Sequence, residues 1–271
     1  MSSTPNGKDH AGQARPAPEA PQEIPVVLVE RRFDAVELNA VVNDPSVYPW
    51  VRASQTGPLD LTDLAADPRN VLLSGEHGSM IFMPMAPGLW ELHTQVLPEG
   101  RGAWTLGLGA SAFGWLFTHT DAVEILTRVP QGNLAAAAIV RKIGATQEWS
   151  QSDGWTFEDK QVGISVWAVS LQVWLRSRYA APLEDIAAEF LGVLAPGEAV
   201  RPDALRPLGF CLAAIRGKQA AKGCVFLNRW GAIAGFPPAF VAAENPLTVN
   251  LGGAFFRVSD DGEIIDMATS H

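Results

Sequence analysis

Glu91 and His93 stand two residues apart in a stretch, 90–97, that alternates in character along its length. Alternation is the pattern of a half-buried strand, and a spacing of two puts both side chains on one face of it. A carboxylate and an imidazole on the floor of a cleft are equipped to take a proton from a nucleophile, so either is a candidate general base. The same spacing also describes the polar outer face of a half-buried strand with no chemistry. Both readings stand at this point. His119 ends the next apolar-periodic segment, where a partial positive charge is favoured, and is assigned no chemistry. Cys211 and Cys224 lack metal-ligand spacing and read as buried small hydrophobes, so no metal site is expected.

The elements around this pair follow from the punctuation. Pro98-Glu99-Gly100-Arg101-Gly102 breaks the strand. Apolar residues then recur at helical spacing to His119, among them Leu106, Leu108, Ala112, Phe113, Leu116 and Phe117. A second strand is predicted over 122–129. Asn133 opens a further helix as its N-cap, and Gly144 stops it. Upstream, the pattern predicts a first strand over 25–31, an amphipathic helix over 34–43, and a hairpin of 71–73 with 80–83 about Gly75-Glu76-His77-Gly78. Downstream, Ser152-Asp153-Gly154 is predicted as a hairpin turn, followed by a strand over 162–169 and a helix reaching Tyr179. Helices are predicted over 183–194, 205–215 and 220–234. Short strands are predicted over 240–242, 247–251 and 254–258, with a turn at Asp260-Asp261-Gly262 before Ile264-Ile265.

The unit over 90–145 resembles the core of the GNAT fold, the acetyl-CoA-dependent N-acetyltransferase superfamily. Asn133, Ala136, Ile139-Val140, Lys142 and Gly144-Ala145 resemble the family's last core helix. Val96-Leu97-Pro98-Glu99-Gly100-Arg101-Gly102 occupies the place of its Val-x-Pro-x-x-Arg-Gly turn. The resemblance implies an α/β (α+β) fold with a mixed, mostly antiparallel central sheet flanked by helices. It implies an acetyl-CoA site formed by Val96, Gly100, Arg101, Gly102, Ala103 and Asn133, with backbone N–H groups at a helix N-terminus meeting the pyrophosphate. It also implies that Glu91 or His93 accepts the amine proton through water, and that Tyr48 and Trp50 either line the acceptor pocket or cap the core. Two positions depart from the family. In the register set by Arg101, the family's later glycines are Trp104 and Leu106, and a Trp side chain at 104 is expected to obstruct the approach of pyrophosphate. The register from Leu97 to Gly102 keeps both glycines but puts Leu97 where Arg or Gln belongs. Val140 stands where many members carry the Tyr that protonates the departing thiolate, and valine has no proton to give.

With 271 residues and 47% hydrophobic composition, the chain is long enough for one large domain or two small ones. Its net charge of −9 and lack of a basic run argue against direct nucleic-acid binding. No signal-peptide pattern or membrane-length apolar run occurs, which predicts a soluble protein made in the cytoplasm. The expected organisation is a proline-rich arm over 1–25, a GNAT-like domain over 26–168 and a smaller C-terminal α+β module over 169–271. In that module, the segment from Lys222 to Gly231, with Ala234-Gly235-Phe236, resembles the C-terminal part of GNAT-like proteins encoded by tailed bacteriophages. That resemblance implies a structural or ejected virion component, made in the host cytoplasm and carried in the particle. It would contact other virion or assembly proteins through the N-terminal arm and the C-terminal module. The alternatives are an active acetyl-CoA-dependent N-acetyltransferase acting on an amine, and a GNAT-like regulator that binds CoA only as a ligand.

Overall fold

Continuous apolar runs at 71–73 and 80–83 and the alternation over 90–97 give three consecutive strands, each long enough to pair with the next. The structure, a computed structural model, describes residues 23–180, 183–188, 202–234, 238–251, 254–259 and 264–269. β1 (Glu30–Arg32) is followed by helices α1 (Val36–Val42), α2 (Tyr48–Val51) and α3 (Thr62–Ala66). Then come β2 (Val71–Gly75), β3 (Gly78–Ala86), β4 (Leu89–Val96), a 3-10 turn at Pro98–Gly100 and the long helix α4 (Ala103–His119). The chain continues through β5 (Glu124–Pro130), α5 (Leu134–Lys142), β6 (Thr146–Phe157), β7 (Lys160–Ser170) and α6 (Leu171–Arg176). Residues 183–188 are helical (α7). Helices α8 (Pro202–Arg216) and α9 (Ala220–Ala234) form a hairpin, and β8 (Ala239–Glu244), β9 (Leu247–Leu251), β10 (Ala254–Val258) and β11 (Ile264–Thr269) follow.

The central sheet has seven strands in the order β1-β2-β3-β4-β5-β7-β6, and the second has four in the order β11-β10-β9-β8. Every neighbouring pair is antiparallel except β4 and β5, which run parallel. This is the mixed, mostly antiparallel, helix-flanked sheet expected from the sequence, with a smaller sheet at the C-terminal end. The pleat sorts side chains by parity. On one face Phe82, Trp90 and Leu92 pack with α4. On the other, Ile81 and Leu72 pack with Leu38 and Val42 of α1. Helix α4 is the centre of the core: Leu108, Ala112, Phe113, Leu116 and Phe117 are all buried. Trp174 of α6 lies against Phe117, ring centroids 5.3 Å apart. The same buried cluster continues through Phe210, Leu227 and Val249 to Val258, so residues on both sides of position 168 share it.

Two expectations are corrected. Of the first predicted strand only Glu30 and Arg31 pair, with Ser74 and Leu73, and the pairing runs one residue further to Arg32↔Leu72. Its partner β2 ends at Gly75, so residues before Val29 have no strand to join. Pro25 instead crosses α4 at Gly107, where its carbonyl leaves no space for a side chain. Val27 is buried, whereas Val26 and Leu28 are 86% and 87% exposed. The second correction concerns Ser152-Asp153-Gly154. These residues form a bulge within a continuous β6, between the pairs Gln151↔Ile164 and Trp155↔Val162. The turn lies at Glu158 and Asp159, with φ of 46° and 63°. The glycine at 154 serves packing, since a Cβ there would stand 2.6 Å from Ile164. Residues 1–22 of the predicted arm, 189–194 of the predicted helix and the whole predicted turn at 260–262 lie outside the described residues.

Candidate functional site

The parallel pair is short. Its register ends at Leu92↔Thr127. Beyond that point β4 stays with β3 as far as Val96↔Gly78. β5 stays with β7 as far as Pro130↔Ile164. The sheet therefore opens into a fork, with His93 to Val96 on one prong and Arg128 to Pro130 on the other. Backbone groups on the two facing edges do not pair with each other, and such groups seek another partner. Helices α4 and α5 begin just after the two prongs, so both N-termini lie at the carboxyl ends of the parallel strands, where ligands of open sheets collect.

The two N-termini differ. Gly102 starts α4 with φ 90° and no side-chain cap. A side chain at Gly102 would meet nothing within 4 Å. The leading N–H groups of a helix have no internal acceptor. Ala103 is the first residue of that turn. At α5 the predicted cap forms: Asn133 Oδ1 accepts from the Ala136 N–H at 3.0 Å.

The Trp104 ring lies against His77, 5.2 Å between centroids. It fills the space beside two glycines, where an added Cβ would stand 3.1 Å from it at Gly75 and 2.8 Å at Gly100. A large aromatic side chain gains more by covering apolar surface than by standing in water. Gly100 is thus the floor for Trp104, His77 and Val96. Arg101 reaches sideways: its guanidinium donates to the Ser46 carbonyl and hydroxyl, both at 3.1 Å. Val140 is buried in a small cluster with Val129 and Trp167, between α5 and the sheet.

Glu91 and His93 share a face, as their spacing requires, and a third group joins them. Glu91 Oε1 lies 3.5 Å from His93 Nε2 and 3.4 Å from an Arg128 terminal nitrogen. Both distances exceed an ordinary hydrogen bond. The Glu91 side chain is 8% exposed, yet Oε1 accepts no hydrogen bond, and His93 Nε2 is likewise buried and unpartnered. Burial holds the His93 pKa below its ordinary value; Glu91 opposes that effect and Arg128 adds to it. An imidazole whose pKa is held down, set beside Glu91 at the root of the fork, is chemically suited to accept a proton. Arg128 was not singled out by sequence reasoning. Its place depends on the pairing Glu91↔Leu126, which puts Arg128 one pleat repeat further along the same face.

Other features do not compete as sites. His119 stacks on Trp115 at 4.4 Å with its Nδ1 against the Trp115 carbonyl, and burial lowers its pKa. A groove of about 500 Å³ lies over β1–β3, but Arg32 at its rim is already paired with Glu30 and Glu37. Cys211 and Cys224 are free and buried, and burial raises both thiol pKa values. Among the described residues, no group of three or more metal-ligating side chains converges, and no helix is long and apolar enough to cross a membrane.

No protein-family profile and no curated protein sequence matches the chain. Solved structures resemble it in part. One is the spermidine N-acetyltransferase of Vibrio cholerae in complex with CoA and spermine, 13% identical, with 55% of this chain and 98% of that chain covered at a TM-score of 0.49. Another is the spermidine/spermine N-acetyltransferase of the same organism in complex with manganese ions, 14% identical, covering 55% and 95% at a TM-score of 0.45.

Proposed function

We propose that the chain is an acetyltransferase-like protein of GNAT type with partial catalytic equipment, serving as a structural or ejected component of a tailed bacteriophage particle. The observation that carries this reading is the state of position 140. A buried valine, packed on Val129 and Trp167, occupies the place of the family's proton donor. Arg101 and Asn133 support the same reading, because both side chains are engaged within the chain, on Ser46 and Ala136. The virion role draws on the likeness of the 222–236 segment. In the described part of that segment, Lys222 and Asn228 bind α4 and β8, so they hold the C-terminal module in place. Val225, Phe240 and Ile265 remain 64%, 54% and 60% exposed, apolar contacts for neighbouring proteins of an assembly. Val26 and Leu28 offer the same at the root of the N-terminal arm.

The buried Glu91 beside His93 and the uncapped start of α4 favour a second reading, an active acetyl-CoA-dependent N-acetyltransferase. The donor set fits the cofactor at one end, since the uncapped N–H groups after Gly102 suit a pyrophosphate. Acetyl-CoA would supply the acyl thioester. Glu91 and His93 would receive the amine proton, and the leaving thiolate would take its proton from water.

Calorimetric titration with acetyl-CoA and CoA, followed by a thiol-release assay over a panel of amines, separates the two. The first reading expects no thiol release from acetyl-CoA with any amine and the protein's presence in purified particles. Micromolar binding with amine-dependent thiol release establishes the second reading and overturns the first.

A further inference from the structure

We infer that the chain pairs with a second copy of itself along the free edge of the central sheet, β1 lying antiparallel against the partner's β1 about a two-fold axis through Arg31. β1 is the terminal strand of that sheet, and among the described residues no strand lies on its far side. Alternate backbone N–H and C=O groups of such a strand point away from the sheet and seek partners. A short, charged edge ordinarily discourages a second strand. The charges of Glu30-Arg31-Arg32 are of mixed sign, and their order makes the edge complementary to itself.

In an antiparallel pairing centred on position 31, position 30 of each copy stands opposite position 32 of the other. Glu30 then faces the partner's Arg32, and Arg32 faces the partner's Glu30. Both side chains lie with Leu28 on the face that carries the groove over β1–β3. Within one copy, Arg32 is 3.0 Å from Glu30 and 3.8 Å from Glu37, whose side chains are 67% and 64% exposed. Carboxylates so exposed can turn toward a second guanidinium. Arg31 leaves by the other face and is held within its own chain. It donates to the Pro68 carbonyl at 3.2 Å and lies over the rings of Phe33 and Trp115, at 4.7 Å and 5.5 Å.

The flanks of the charged triplet are apolar. Val26 and Leu28 before it and Phe33 and Val36 after it are all exposed, and no other stretch of that length among the described residues carries so many large exposed apolar side chains. Such a patch marks a contact surface. The two-fold that pairs Glu30 with the partner's Arg32 also brings the flank before β1 toward the partner's flank after it. The chain ahead of Glu23 offers little apolar cover of its own, since residues 1–22 include no Val, Leu, Ile, Phe, Tyr or Trp.

This names a partner for the apolar root of the arm, and its test needs neither a particle nor a ligand. Sedimentation velocity of the full chain, from low to high micromolar concentration, is compared for the wild type, Glu30→Arg, Arg32→Glu, the double variant and an equimolar mixture of the two single variants. The wild type is expected to reach the mass of two chains. Each single variant sets like charges opposite one another at both positions and should raise the dimer Kd about tenfold or more. The double variant and the mixture restore opposite charges and should bring Kd back to within about threefold of the wild type. Circular dichroism should be the same for all, because the exchanged charges are on the surface. A wild type that stays monomeric overturns the pairing. A dimer indifferent to both reversals, or a mixture that stays monomeric, overturns this register. Absence of the protein from purified particles would refute the virion reading while leaving the dimer as measured.

Discussion

Replacing Lys222 by methionine should loosen the joint between the C-terminal helices and α4, and the loss should grow with pH. The ammonium donates to the carbonyls of Phe117 at 2.9 Å and Thr120 at 3.0 Å, and to that of Ala122. These are groups that the end of a helix leaves without internal partners. Methionine keeps the length and supplies no donor. Three carbonyls near a helix end, partly reachable by water, lose about 1 kcal/mol each. Relief of the buried charge offsets part of that near neutrality, so the net loss near pH 7 is about 1–2 kcal/mol, or about 3–6 °C in Tm. Burial lowers the Lys222 pKa to about 8, with Asp121 pulling the other way. The folded value lies below the unfolded one. Between them the unfolded chain binds more protons, so the wild type gains stability as pH rises while the variant does not. Thermal unfolding followed by far-UV circular dichroism near pH 7 and pH 10 should show the Tm gap at least doubling. A gap that narrows with pH, or is absent at both, refutes the reasoning.

Other substitutions probe the fork. Glu91→Gln keeps the shape and removes the charge that raises the His93 pKa. An NMR titration should then find His93 titrating at lower pH than in the wild type, and a rise would show that the two do not interact. Val140→Tyr should overfill the cluster with Val129 and Trp167, cost about 1–3 kcal/mol in urea unfolding and restore no acetyl transfer. An unchanged urea midpoint would mean that position 140 does not pack as described. Gly102→Val places a branched side chain at φ 90°, so a loss of about 1–2 kcal/mol is expected although no atom obstructs it. Wild-type stability there would contradict that backbone conformation.

Much of the frame was legible because it is local. Alternation over 90–97 placed Glu91 and His93 on one face, apolar spacing gave α4, and Asn133 reads as a cap from residue type alone. What escaped depends on partners distant in sequence. Arg128 reaches Glu91 through a register between two parallel strands, and nothing in either strand states that register. The Trp104 ring lies against His77 beside Gly75 and Gly100, and Gly75 belongs to another strand. Ser152-Asp153-Gly154 has turn chemistry, but pairing with β7 resumes beyond it, and non-glycine residues make the turn instead. Lys222 gave no signal of its role, because a lysine that holds another helix's carbonyls looks in sequence like any solvated lysine.

Helix α4 supports the fork at one end and the C-terminal helices at the other, and this bears on mutational tolerance. Gly107 is held to its size by Pro25, whose carbonyl oxygen stands where a Cβ would go. Leu108, Ala112, Leu116 and Phe117 have no exposed surface. A saturation scan should find few permitted replacements along this rod, whereas the outer strand β6, exposed from Thr146 through Asp153, should accept many. The stretch under the tightest constraint is therefore the one that joins the central sheet to the C-terminal helices.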